Sequence, residues 1–219
     1  MSTIFVTSSG TDIGKTYVSA LLIRQLREKG KPVRALKPLV SGLDEASFAG
    51  SDPAALLAAL GETVAYENAG LVSRWRYKAA LSPDMAAARE GQTIDFVELV
   101  NHCLDTARDD ETLVIEGVGG LMVPLDERHT VLDWMLELKR LQLRSLLVVG
   151  SYLGTISHTL TTLDVMRRND LEPRAIVVSE SLSAPVPLEE TVETIRRFAK
   201  LDTIALPRNG EPDLAGLFV

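Results

Sequence analysis

The sequence predicts an α/β fold: a doubly wound, mostly parallel sheet with helices on both faces. Three observations carry this. Short β-rich segments alternate with helical ones along the 219 residues. The strand segments, such as 145–149 and 175–178, are continuous apolar runs, which marks strands covered on both sides. Glycines and charged residues follow the strands directly, at the ends where such sheets bind ligands.

The elements follow in order. Residues 3–7 form a first strand, and an amphipathic helix runs from about Lys15 to Glu28, stopped by Gly30 and Pro32. Residues 33–38 make a second strand. The polar stretch 39–51 is expected to be a loop, ordered or gated by substrate. Asp52-Pro53 opens an Ala/Leu helix, with Asp52 as N-cap and Pro53 at the first helical position. Ser82-Pro83 opens a helix through Arg89 closed by Gly91, and 95–108 is helical. Residues 112–115 are a buried strand leading into Glu116-Gly117-Val118-Gly119-Gly120. Helix 132–141, strand 145–149, helix 156–168, strand 175–178, helix 188–200 and strand 203–206 complete the chain. No repeat or linker interrupts it, so residues 1–219 are expected to be one domain with right-handed crossovers.

Composition narrows the function. Lys plus Arg is 23 against 30 for Asp plus Glu, a formal net charge of −7. Phosphate neutralisation along a nucleic acid needs a basic face, so no nucleic-acid partner is expected. No apolar run approaches the roughly 18 residues of a membrane span, and the N-terminus lacks a basic, then apolar, leader. Hence neither a membrane association nor a secretory route is expected, and the predicted location is cytoplasmic. Cys103 is the one cysteine. It excludes an intramolecular disulfide and a Cys-rich zinc site, and its half-apolar helical setting favours a buried thiol. His102, His129 and His158 lack metal-ligand spacing. The Arg74-Trp75-Arg76 cluster is expected to be packing and surface.

The most informative stretch lies between the first strand and the first helix: Gly10-Thr11-Asp12-Ile13-Gly14-Lys15-Thr16. Gly14 lets backbone approach an anion, and the helix N-terminus aims amides and a positive dipole at it. Lys15 reaches terminal phosphates and the Thr16 hydroxyl can ligate Mg²⁺. Ser9 stands where the strict pattern has glycine, so this is a variant P-loop, and the fold is expected to be P-loop NTPase-like. Lys37-Pro38 ends strand two and aims a second cation at the same crevice. Two converging lysines suit the charge that develops in phosphoryl transfer. Glu116 ends the strongest buried strand, and Mg²⁺ is a suitable partner for a carboxylate there. Asp52 serves equally well as a metal ligand or a helix cap. Gly117, Gly119 and Gly120 free backbone amides for a second anion.

Together these segments resemble the dethiobiotin synthetase family over almost the whole chain. The resemblance rests on Phe5-Val6-Thr7 leading to Gly14-Lys15-Thr16, on Lys37-Pro38 with Ser41-Gly42, and on Ser51-Asp52. It extends to Ser82-Pro83 with Glu90-Gly91, Glu116 to Gly120, and Leu153-Gly154-Thr155-Ile156-Ser157-His158. The resemblance implies an ATP- and Mg²⁺-dependent cyclo-ligase of biotin biosynthesis. Such an enzyme joins CO₂ to 7,8-diaminononanoate as a carbamate, phosphorylates it, and closes the ring. It implies that Asp12, Ile13, Gly14, Lys15, Thr16 and Tyr17 hold the triphosphate, and that Thr16, Asp52 and Glu116 arrange Mg²⁺. Lys37 would act on the carbamate and the transferring phosphoryl group. Asp52 and the 116–119 segment (Glu116, Gly117, Val118, Gly119) would also line the nucleotide. Thr11, Lys37, Ser41 and Gly119 would place the diamine, with Thr11, Lys15 and Lys37 closest to the chemistry. Ser179, Glu180, Leu206, Pro207 and Arg208 would surround the base. Gly150, Leu153 and Ser157 would touch substrate from the neighbouring subunit of a homodimer with sites near the interface.

The chain departs from that pattern in places. Ser8 stands where the family usually has glycine, Asp12 where it has Glu, and Asp84 where it has His. Tyr152 and Ser157 replace a Lys and an Asn. Ser179-Glu180 replaces the Asn-Asp pair that usually reads adenine. A hydroxyl cannot copy a bidentate amide contact, so relaxed base preference is expected. Two other functions compete. A P-loop amidoligase of the cobyrinic acid amide synthase type would bring a glutaminase module with a Cys nucleophile, a setting Cys103 lacks. A nucleotide-dependent switch would carry a signature lysine at position 10, where this chain has Gly10.

Overall fold

The computed structural model describes residues 2–219. In chain order the elements are β1 (Ser2–Ser8), α1 (Lys15–Glu28), β2 (Val33–Leu36), β3 (Leu39–Ser41), α2 (Asp52–Leu60), β4 (Trp75–Tyr77), α3 (Pro83–Arg89) and α4 (Phe96–Thr106). Then come β5 (Thr112–Glu116), α5 (Val131–Glu137), β6 (Arg144–Gly150), α6 (Thr155–Arg168), β7 (Ala175–Ser179), α7 (Leu188–Ala199) and β8 (Thr203–Leu206). Six strands form one sheet in the order β2-β5-β1-β6-β7-β8, every pairing parallel. The expected α/β class holds.

The continuous apolar runs have a simple cause. Alternate residues of each strand enter two different cores. Phe5, Ile115, Leu147, Val149 and Ile176 face α4 to α7. Ile4, Val6, Val114, Leu146 and Val148 face α1, α2 and the C-terminal segment. With both faces covered, each fully buried Leu, Ile or Val contributes about 1.5–3 kcal/mol of transfer free energy. Cys103 lies in the first of these cores, and burial pushes its thiol pKa up to about 12. This suits the inert thiol expected there.

Two expectations need correction. Residues 39–51 are not simply a loop. Leu39–Ser41 pairs with Trp75–Tyr77 as a second, two-stranded parallel sheet, and Glu45–Gly50 is a 3₁₀ turn. Pro38 and Gly42 bracket a strand of only three residues, too short for period-two patterning to show. The cap of α2 is Ser51, whose hydroxyl accepts from the Ala54 amide at 3.4 Å, and not Asp52, which is the first helical residue. That frees the Asp52 carboxylate for the cleft.

The connections of β1 and β6 leave in opposite directions, β1 toward β2 and β6 toward β7. The crevice beyond their carboxyl ends is where such sheets hold ligands.

Candidate active site

Parallel register delivers the site. Val6 pairs with Glu116, and Leu36 pairs with Ile115, so Lys37 follows β2 at the level where Glu116 ends β5. Three neighbouring strands, β2, β5 and β1, therefore end together and present Lys37, Glu116 and the loop 9–14 side by side. The Lys37 amide donates to Val72 O at 2.8 Å, which fixes the backbone just past the strand.

The loop closes onto α1 through Gly14. Its φ of +94° is a left-handed conformation, and a Cβ there would lie 2.7 Å from Ser179 Oγ. Glycine is thus required both by backbone geometry and by close packing. Gly120 is similarly confined: a Cβ would sit 3.1 Å from the Gly10 amide nitrogen. The phosphate loop and the 117–120 glycine segment are therefore packed directly together. Ser8 reinforces the contact. Its buried hydroxyl lies 2.7 Å from Gly10 O and 2.8 Å from Gly119 O, and accepts from Lys15 Nζ at 3.1 Å. Where the family pattern has glycine, this chain has a hydroxyl bridging the two loops.

The cations sit in different surroundings. Lys37 Nζ donates to Glu116 Oε1 at 2.7 Å and pairs with Asp52. Burial opposes its charge, but the Glu116 and Asp52 carboxylates outweigh burial and hold the ammonium above its ordinary pKa. Asp52 is correspondingly held low: burial raises it, and Lys37 more than reverses that. Lys15 has no carboxylate partner. It donates to the Ser8 hydroxyl and, at 3.2 Å, to Gly10 O. Burial, then the nearby Lys37 charge, lower its pKa to about 8.

Glu116 is 1% exposed. Its Oε1 accepts from Lys37 and from the Thr16 hydroxyl at 2.7 Å, and its Oε2 has no partner. A buried carboxylate oxygen left unsatisfied beside Thr16 and Asp52 fits a hard cation. Among the described residues no three His, Cys, Asp or Glu side chains gather as a self-sufficient metal cage. Thr16, Asp52 and Glu116 could hold such a cation only together with further oxygen ligands from outside the chain.

Three chambers lie at this end of the sheet, the first two sharing a wall. The first, about 290 Å³, is lined by Thr11, Asp12, Ile13, Gly14, Lys15 and Thr16, with Lys37, Ser41, Asp52, Val118 and Gly119 opposite. A side chamber of about 370 Å³ shares Thr11, Asp12, Ser41, Val118 and Gly119, and adds Ser82, Pro83 and Val123. A third, about 200 Å³, is bounded by Tyr17, Ser179, Glu180, Leu206, Pro207, Arg208 and Asn209. Sequence reasoning did not assign Val40, Val123, Ser82, Pro83 or Asn209 to the site. The apolar ones look like core in a sequence, and Asn209 sits in a loop without a motif.

Gly150, Leu153 and Ser157 lie apart, at the end of β6 and the start of α6, and line none of these chambers; Leu153 is 84% exposed. The histidines have local partners: His102 packs edge-on against Trp75, His129 bonds Asp126 and stacks on Phe96, and His158 bonds Tyr152. Arg74 pairs with Glu98 and lies over Trp75, the surface packing expected of that cluster.

A family model described as "AAA domain" matches residues 2–211. The chain is 46% identical to the ATP-dependent dethiobiotin synthetase BioD of Methylobacterium nodulans, an alignment covering 100% of this chain and 99% of the relative. It is 44% identical to that of Caulobacter vibrioides, over 99% and 97%. Among solved structures, a ParA family ATPase from Chlorobium tepidum matches at TM-score 0.53 and 11% identity, over 94% of this chain and 82% of that one. The MinC:MinD cell division protein complex of Aquifex aeolicus matches at 0.52 and 16%, over 99% and 84%. At such identities these structures share the fold alone.

Proposed function

The chain belongs to the family of ATP-dependent dethiobiotin synthetases, ligases of biotin biosynthesis; on that premise we propose how its cleft closes 7,8-diaminononanoate and CO₂ into dethiobiotin, with ATP converted to ADP and phosphate. The observation that carries the reading is the pair of buried lysines, Lys15 and Lys37, converging on one chamber that opens into a second. The first chamber suits a triphosphate and the second a small diamine.

Mg²⁺ held by Thr16, Asp52 and Glu116 would neutralise phosphate charge when bound. The chain's own residues do the rest by position and charge. One amine of the substrate, in its uncharged form, adds to the carbon of CO₂ to give a carbamate and releases a proton to solvent. Thr11, Ser41 and the backbone at Gly119 hold it at the boundary of the two chambers. A carbamate oxygen then attacks the γ-phosphorus while the bond to the ADP oxygen breaks. Lys15 and Lys37 offset the charge on the transferring oxygens. The second, uncharged amine attacks the carbonyl carbon, and phosphate leaves with the proton that amine releases. No strong protein base is required, and no Ser-His-Asp constellation is needed.

The base would occupy the third chamber, against Ser179, Glu180 and Leu206 to Arg208. Gly150, Leu153 and Ser157 would reach substrate only across the interface of a homodimer. Residues 1–219 would act as one ligase domain, in the cytoplasm and without nucleic-acid or membrane partners; among the described residues no helix is long and apolar enough to cross a membrane. The switch reading is disfavoured by Gly10, and the amidoligase reading by the burial of Cys103.

The test is ADP release with Mg-ATP and bicarbonate, with and without 7,8-diaminononanoate. Strong dependence on the diamine is expected. Hydrolysis at the same rate without it would overturn the assignment.

A further inference from the structure

The third chamber is walled by an exposed loop held by few contacts of its own. Pro207, Arg208 and Asn209 are exposed, and they make a tight turn in which the Gly210 amide donates to Pro207 O at 2.8 Å. On one side the turn hangs from β8, with the Arg208 amide donating to Glu180 Oε2 at 2.8 Å. On the other side it continues into residues 211–219, which fold back along α1 with Leu214 and Ala215 fully buried.

One side chain fastens that return segment at three points. Gln25 Nε2 donates to Pro212 O at 2.8 Å, while Gln25 Oε1 accepts from the Leu214 amide at 2.8 Å and the Ala215 amide at 3.1 Å. Tyr17, on the same helix, donates from its hydroxyl to Gly210 O at 3.0 Å. Ion pairs Arg24–Glu211 and Lys29–Asp213 flank the clamp but are exposed, and such pairs contribute little. Gln25 is ten residues beyond Lys15, about 15 Å along the helix. A single rigid helix thus begins at the phosphate loop and, further along, sets where the wall of the third chamber stands.

We infer that Gln25 is a positioning residue for the nucleotide base: by clamping the backbone of 212–215 to α1, it fixes the Pro207–Asn209 wall relative to the phosphate loop. The inference rests on the nucleotide reading of the cleft. Gln25 lines none of the three chambers, so its removal would act on the base through the wall and leave the phosphates alone. Gln25→Met keeps the length and apolar stem and removes all three hydrogen bonds. The freed Leu214 and Ala215 amides belong to fully buried residues, so some loss of stability is expected, and folding is checked by circular dichroism before binding is compared. Gln25→Glu keeps the double acceptor and loses the donor to Pro212.

The experiment compares equilibrium binding of ATP and of inorganic triphosphate, which has no base, to the full chain and both variants. Steady-state KM and kcat are measured alongside. Gln25→Met should weaken ATP about tenfold, the loss of about one or two hydrogen bonds' worth of order. Triphosphate binding, kcat and the diamine KM should stay within about twofold, and Gln25→Glu should fall between. Equal weakening of ATP and triphosphate, or no change for either, would overturn the inference. If Gln25→Met does not fold, the same comparison on Gln25→Glu decides by the same criterion. Failure of the unaltered chain to bind ATP at all would instead strike the nucleotide reading.

Discussion

The two ends of the proposed nucleotide cleft are built on opposite plans. At the Lys15–Lys37 end, buried Lys37 just past β2 and buried Glu116 at the end of β5 are held by one another and by part-exposed Asp52 and Thr16 on the helices beside them. At the other end the wall is exposed loop, with the Arg208 amide bonded to Glu180 and the segment beyond it bonded to Gln25 on α1. The difference teaches where each kind of selectivity can reside. Charge stabilisation needs preorganised groups in a site that excludes water, which the sheet supplies. Discrimination between bases needs a few directional contacts, which a loop can gain or lose without disturbing the chemistry.

Three measurements would break or sharpen that contrast. The largest effect is expected at the phosphate end. Lys37→Ala should lower kcat by at least about 10³-fold, because it removes a charge acting on the transition state. It should leave the fold intact by circular dichroism, although Glu116 loses a buried partner. Activity like that of the unaltered chain would remove Lys37 from the mechanism.

Next comes a stability effect of the opposite sign. Lys15 is held near pKa 8, below its ordinary 10.5, so the unfolded chain binds more protons between those values. Burying the charged form therefore destabilises the nucleotide-free protein most fully below about pH 8, and the penalty fades as pH rises toward 10.5. Lys15→Met should abolish turnover yet raise unfolding stability at pH 7 by about 1–3 kcal/mol. The gain should shrink on urea melts at pH 10. A variant less stable than the parent at pH 7 would show that Lys15 is not under the strain its surroundings imply.

The smallest effect belongs to the base end. With Ser179-Glu180 in place of an amide reader, and with Glu180 already committed to the Arg208 amide, kcat/KM for ATP, GTP and CTP should agree within about tenfold. A strict requirement for ATP, of 10³-fold or more, would mean that backbone groups of the wall read the base. The base end would then be as selective as the phosphate end is reactive.

Much of this was legible in the sequence for reasons that differ by residue. Gly14-Lys15-Thr16 declares itself because the chemistry of a phosphate loop is local: glycine, lysine and hydroxyl act within one turn of helix. The β-runs declare themselves because burial on both faces removes polar residues from every position. Lys37 and Glu116 could be suspected, each as a charge at the end of an apolar strand. By contrast β3 and β4 are three residues each, too short to carry a period, and Ser51 and Asp52 are both good caps, so only the backbone path chose between them.

By itself, then, the sequence determined the layered α/β architecture and the glycine-lysine-threonine turn from β1 into α1, since both rest on short-range patterns of burial and backbone freedom. Tertiary structure alone decided that buried Lys37 meets buried Glu116 and part-exposed Asp52 in one cluster. It also decided that Ser179 packs on Gly14, and that Gln25 fastens a segment nearly the whole chain away. Those contacts depend on strand order and parallel register, which follow from how the whole chain packs and leave no mark on the spacing of residues along it.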